Sequence, residues 1–168
     1  QMQYHADSSF LGTRDTNINM TLNNGLKSGH WTYFHPNGKI SETGSYYNGH
    51  KTGEWVGYRP DGTVSYHYHF MNGKKDGWCK NFTGDFVIFS MGRYEKGLKE
   101  GFWKFYFHSA QLKKDVYYQQ GKEDGIYKHF FKSGQIKEIG AYSLGKKSGL
   151  WKAFYPDGTL KSEFNYDH

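Results

Sequence analysis

Aromatic and aliphatic positions return along this chain every 24 residues, with polar runs between them. Units counted from Gly29, Gly53, Gly77, Gly101, Gly125 and Gly149 align without an insertion, and four of their columns stay apolar or nearly so. The third position reads Trp31, Trp55, Cys79, Trp103, Tyr127 and Trp151, and the sixth reads Phe34, Tyr58, Phe82, Tyr106, Phe130 and Phe154. The twelfth reads Ile40, Val64, Ile88, Leu112, Ile136 and Leu160, and the eighteenth reads Tyr46, Phe70, Tyr94, Tyr118, Tyr142 and Tyr166. Short apolar stretches with this spacing, rich in rings and β-branched residues, predict strands. No segment combines a 3.6-residue period with helix caps, so no helix is predicted.

Between the sixth and twelfth positions lies a turn signal: Pro36-Asn37-Gly38, Pro60-Asp61-Gly62 and Pro156-Asp157-Gly158. Proline presets φ at the second turn position, Asn or Asp suits the next, and Gly accepts positive φ. The pattern predicts a hairpin with a type I turn closed by a Gly bulge. That register places Phe34 opposite Ile40 and Trp31 opposite Thr43. The second link, Asn48 to Gly53 and its equivalents, reads as a short polar connection back into the next hairpin. A second comb, Gly25, Gly49, Gly73, Gly97, Gly121 and Gly145, runs four residues ahead of the first. The two glycine rows are expected to bracket that link.

A repeat of this length cannot bury its apolar face alone and must stack on its neighbours. The expected fold is therefore all-β: an elongated array of antiparallel hairpins forming one twisted, curled sheet. The array reads as a single domain over 1–168. Residues 1–28 would form a degenerate capping unit, with Phe10 and Leu22 on the repeat columns. Units start at 29, 53, 77, 101 and 125, and 149–168 is a truncated copy. The sixteenth position alternates small and large as Gly44, Tyr68, Gly92, Val116, Gly140 and Phe164. This suggests that the ring of one unit covers the glycine of the next. Two central units depart from the pattern. Gly84-Asp85-Phe86 replaces the Pro-Asp-Gly turn, with Cys79 for Trp, and Ser109-Ala110 leaves a turn without glycine. Altered hairpin tips are expected at 83–87 and 107–111.

Composition adds to this picture. Rings make up 20% of the chain while mean hydropathy is −0.90, which suits a thin sheet whose rings cover area from one layer. The net charge of +6 suggests an acidic protein partner or an anionic surface. Scarce arginine (Arg14, Arg59, Arg93) argues against nucleic acid. The single Cys79 allows no intrachain disulfide. No run of about 18 apolar residues is present to span a membrane as a helix. A cytoplasmic location is expected, or a periplasmic or exported one if a leader was removed before Gln1.

No arrangement of enzyme residues recurs. His67 and His69 would share a strand face, which suits a metal only if a third ligand arrives, and none stands nearby in the unit. No nucleophile–base order, phosphate loop or zinc helix motif appears. No catalytic residue, metal site, cofactor or small-molecule substrate is therefore expected.

The unit G-x-W-x-x-[YF]-x-P-[ND]-G-x-[ILV], followed by an aromatic, Asn-Gly and a further Gly, resembles the MORN-repeat family. It is most similar to the bacterial variant in YwqK-type antitoxin proteins. The resemblance covers Gly29 to Tyr166, and weakly the first 28 residues. It implies an antiparallel hairpin array without enzymatic activity. It also implies protein–protein contact, with toxin neutralisation in the bacterial variant and membrane-proximal scaffolding in the eukaryotic one. The leading expectation is an antitoxin or immunity-type protein that binds a toxin or effector with an acidic surface. The alternative is a membrane-surface or cell-envelope scaffold using a lysine stripe, with an enzyme as the remote alternative.

Constant columns build scaffold, so recognition should lie in the columns that vary. Positions 5, 15 and 17 of the unit are expected on the face of the tryptophans. A lysine ladder, Lys80, Lys104, Lys128 and Lys152, accompanies them, with Lys113, Lys137 and Lys161 nearby. Rings and cations together have the makeup of a protein-binding surface. The candidate partner-binding residues are Tyr33, Trp55, His67, His69, Arg93, Trp103, Lys104, Phe105, Tyr117 and Lys128.

Overall fold

The computed structural model describes residues 2–5, 25–84 and 86–166. Phe10 and Leu22 of the expected capping unit lie outside the described residues, as does Asp85. All described regular structure is β, and no helix occurs among the described residues. The strands group into two compact units, Gln1–Phe86 and Val87–His168.

The first unit contains β1 (Met2–His5), β2 (Gly29–Phe34), β3 (Ile40–Tyr47), β4 (His50–Tyr58), β5 (Val64–Met71) and β6 (Lys74–Phe82). They lie side by side in sequence order. Strands β2 to β6 form an antiparallel meander, whereas β1 runs parallel to β2, with Met2 beside Trp31 and His5 beside Phe34. The second unit contains β7 (Ile88–Glu95), β8 (Leu98–Tyr106), β9 (Leu112–Gln119), β10 (Lys122–Phe130), β11 (Ile136–Ser143), β12 (Lys146–Phe154) and β13 (Leu160–Tyr166). These too follow sequence order and pair antiparallel throughout. The hairpin array expected from the sequence is thus the observed one.

Two turns alternate. At the hairpin tips the Gly38 amide donates to the His35 carbonyl (2.9 Å) and the His35 amide to the Lys39 carbonyl (2.8 Å). Gly38 takes φ 81°, so a type I turn closes on a glycine bulge as expected. The altered tip anticipated at 107–111 is not found. Ala110 accepts φ 63° and its amide reaches the Phe107 carbonyl at 2.9 Å, the same geometry as at Gly38. Neighbouring strands over-determine the turn, and the alanine bears the strain. At the third tip Phe86 holds the left-handed position, φ 61°, with a longer 3.3 Å bond to the Thr83 carbonyl.

The second link is shorter than its sequence suggests. Asn48 and Gly49 have φ 48° and 78°, the mark of a two-residue type I′ turn, and β4 begins at His50. Gly53 therefore lies inside a strand rather than at the end of a loop. There Gly44 faces Trp55 while the next residue, Ser45, faces Thr52, so Gly53 and Glu54 form a bulge. The positive φ of 66° at Gly53 explains why this column is glycine. Only one of the two glycine rows marks a turn; the other marks a bulge.

Candidate partner-binding face

The bulges decide which side chains share a face. Trp31 sits opposite Gly44, not Thr43, because the register shifts between Tyr33 and Phe34. Phe34 does face Ile40 as expected. This one-residue displacement moves a whole column across the sheet. The sixteenth-position residues join the tryptophans, whereas His67 and His69 point the other way, beside Val56 and Glu54. The expectation that positions 15 and 17 share the tryptophan face is therefore corrected; position 5 does share it, since it alternates with position 3 on one strand.

The tryptophan face is a packed ladder. Trp31, Trp55, Trp103 and Trp151 are 3% exposed or less. Tyr46 meets Trp55 edge-on with centroids 5.0 Å apart, and Tyr94–Trp103 and Tyr142–Trp151 repeat this at 5.0 and 5.1 Å. Each indole also finds a main-chain acceptor near a bulge. Trp55 Nε1 donates to the Ser45 carbonyl (3.0 Å), Trp103 to that of Arg93 (3.1 Å), and Trp151 to that of Ala141 (2.9 Å).

A lysine column missed in the sequence closes this layer. Lys51 Nζ lies 3.9 Å from the Trp55 ring centroid, Lys99 4.4 Å from Trp103, and Lys147 3.8 Å from Trp151. Their methylene stems cover the rings while their ammonium groups stay near the surface. Lys51 also pairs with Glu42 at 2.5 Å, and Lys147 with Glu138 at 3.0 Å. Lys27 Nζ lies among Trp31, Tyr33 and Tyr46 and donates to the Tyr33 hydroxyl (2.7 Å). Burial, aided by the charge of Lys51, lowers its pKa from the ordinary lysine value. Burial raises Tyr118 to about 12, with the Glu123 charge adding to it. The signal available in the sequence was a lysine two residues before Gly29, Gly53, Gly77, Gly101 and Gly149, with Glu123 in that place before Gly125.

These contacts sort the candidate residues. Trp55 and Trp103 are buried in the ladder. Tyr33 and Phe105 are half-buried against Trp31 and Trp103 respectively. None of these four presents a free surface ring. On the opposite face of the first unit, His67 is exposed beside Lys80, and His69 directs Nδ1 at the Asp76 carbonyl (2.6 Å). They border a shallow cavity of about 190 Å³ with Glu54 and Trp78. Among the described residues no group of three His, Cys, Asp or Glu side chains converges for a metal.

On the corresponding face of the second unit, Lys104, Tyr117 and Lys128 do come together, whereas Arg93 stands on β7 with Glu100 as its register partner. Lys104 faces Asp115, its Nζ 3.9 Å away, and Asp115 in turn faces Lys128. Tyr117 faces Phe102, ring centroids 5.0 Å apart. Phe102, Ile126 and Leu150 are 53%, 53% and 49% exposed, and Trp78 in the first unit is 66% exposed. This apolar column, the second position of the unit, was absent from the sequence-based candidates.

A family model described as a MORN repeat variant matches residues 27–48, 123–143 and 147–168. Those three segments are similar to MORN repeats. The matched segments span the hairpins β2–β3, β10–β11 and β12–β13, and the intervening hairpins β4–β5 and β8–β9 share their register and tip bulge. Each matched MORN segment begins in the column of Lys27, Glu123 and Lys147, the residues that lie beside the ring ladder. MORN repeats are generally associated with protein or membrane binding. No curated protein matches the chain.

Proposed function

We propose that this protein is a non-enzymatic binding module. It engages an acidic protein partner through the face opposite the tryptophan ladder, centred in the second unit on Phe102, Ile126, Lys104 and Lys128. The observation that supports this is the contrast between faces. One side buries its indoles and covers them with lysine stems, while the other leaves Phe102, Ile126 and Leu150 about half exposed beside lysines. Exposed apolar side chains rimmed by charged and polar groups are the composition of an interaction surface. The sequence resemblance to YwqK-type antitoxins extends the reading to neutralisation of a cognate toxin by covering its surface.

The test uses a purified partner identified by cross-linking to the full-length chain. The triple substitution Lys104→Glu, Lys128→Glu, Lys152→Glu is expected to weaken its binding at least tenfold and to abolish any protection against a toxic partner in co-expressing cells. Unchanged binding by a correctly folded triple variant would remove this face from consideration. A second reading rests on the same pairing of half-exposed apolar residues and lysines, which also suits an anionic membrane surface. Salt-sensitive binding of the full chain to phosphatidylserine vesicles, lost in the triple variant, would favour it.

A further inference from the structure

The face opposite the ladder is organised in rows that run across the strands. In the second unit, register pairs connect Lys104 to Asp115, Asp115 to Lys128, Lys128 to Ile139, Ile139 to Lys152, and Lys152 to Glu163. Two residues along the strands lies a second row with Phe102 beside Tyr117, Ile126 beside Ala141 and Leu150 beside Asn165. The half-exposed members of that row, Phe102, Ile126 and Leu150, stand on every second strand, β8, β10 and β12. Strands lie about 4.8 Å apart, so these apolar steps recur about every 9.6 Å. The two rows are about 6.8 Å apart, two residues of strand rise.

Resting on the binding-module reading above, we infer that the partner presents an acidic amphipathic α-helix laid across these strands. Seven residues of α-helix rise about 10.5 Å and return to nearly the same face. Apolar side chains at i, i+7 and i+14 then meet Phe102, Ile126 and Leu150 with the helix lying along the row, the difference of about 0.9 Å per step falling within side-chain reach. A helix is about 10–12 Å across with its side chains, so one flank overlies the lysine row while its base rests on the apolar row. Charge selects the sign of that flank. Lys104 and Lys152 pair with Asp115 (3.9 Å) and Glu163 (3.1 Å), and the positive excess comes from Lys128 and from the exposed Lys113, Lys137 and Lys161 at the tip ends of β9, β11 and β13. A second copy of this chain placed face to face would oppose lysines to lysines. An extended strand rises about 6.8 Å per same-face pair and misses the spacing.

The experiment titrates the full-length chain with labelled synthetic peptides of one composition, Leu and Glu in an alanine background. One places Leu at a spacing of seven, and a second at a spacing of five. A third is an acidic polyproline peptide with Leu at every third residue, which rises about 9.3 Å per repeat. The spacing-of-seven peptide is expected to bind at least tenfold tighter than either other peptide and to gain helical circular dichroism on binding. Ile126→Glu, on an exposed side chain, should weaken it at least tenfold with the fold retained. Lys128→Glu is the second variant and should act in the same direction. Equal binding of the two Leu spacings, tighter binding of the polyproline peptide, or indifference to both substitutions would overturn the helix. Should the lysine triple variant lose a purified protein partner while no peptide binds, the helix inference falls and the binding-module reading stands.

Discussion

Gly44 lies directly beneath the indole of Trp55: a β-carbon built on Gly44 would sit 2.2 Å from the ring. The same relationship recurs at Gly92 with Trp103 and Gly140 with Trp151, each at 2.3 Å. Where the tryptophan column changes, the facing residue changes with it. Cys79 stands opposite Tyr68, and Tyr127 opposite Val116. Small is set against large at every one of these interfaces. The ring that covers each glycine is thus the next unit's tryptophan, not the sixteenth-position ring inferred from the sequence.

Gly92→Ala should therefore destabilise the second unit by about 1–3 kcal/mol, since the ring contacted is walled in and cannot swing away. Urea unfolding measures this; an unchanged midpoint would show that Trp103 has room to move.

The pairing also predicts a rescue. Cys79→Trp alone should destabilise the first unit, because Tyr68 occupies the space a tryptophan needs. Combining it with Tyr68→Gly should recover most of that loss, giving a coupling of about 1–3 kcal/mol in a double-mutant cycle. Additive effects would deny that this facing pair is one packing unit.

Ala110 holds a left-handed conformation that the tips at Gly38, Gly62, Gly134 and Gly158 assign to glycine. Ala110→Gly should raise stability by about 0.5–1 kcal/mol, the relieved strain outweighing glycine's unfolded-state entropy. A lower denaturation midpoint would contradict it.

Burial lowers the pKa of His129 from 6.5, with Lys137 and Lys114 adding to it. The unfolded chain then binds a proton more readily than the folded one. Stability should rise with pH between the lowered folded value and 6.5, and its contribution is lost as pH falls through that window. Unfolding midpoints across that window should flatten in His129→Gln; an identical slope would assign the dependence elsewhere.

Much of the architecture was legible from residue columns. The 24-residue beat, the Pro-Asp-Gly tips and the apolar columns specify antiparallel hairpins, because those residues dictate local dihedrals. The candidate site was harder to read. Trp55 looks like a binding anchor in sequence, yet Gly44 and Tyr46 on β3 and Lys51 on its own strand bury it. Ile126 belongs to no column the sequence singled out, yet it stands half exposed on the opposite face.

By itself, then, the sequence determined the repeat, the strands, the tip turns and the basic charge, all set by residues near in the chain. Only the tertiary structure decided which face each column occupies. That choice depends on bulges at Gly53 and beside Tyr33, where a single residue out of step reverses the direction of every side chain that follows. Strand alternation propagates such a step without leaving a mark in composition. For that reason His67 and His69, expected on the tryptophan face, end on the opposite side of the sheet.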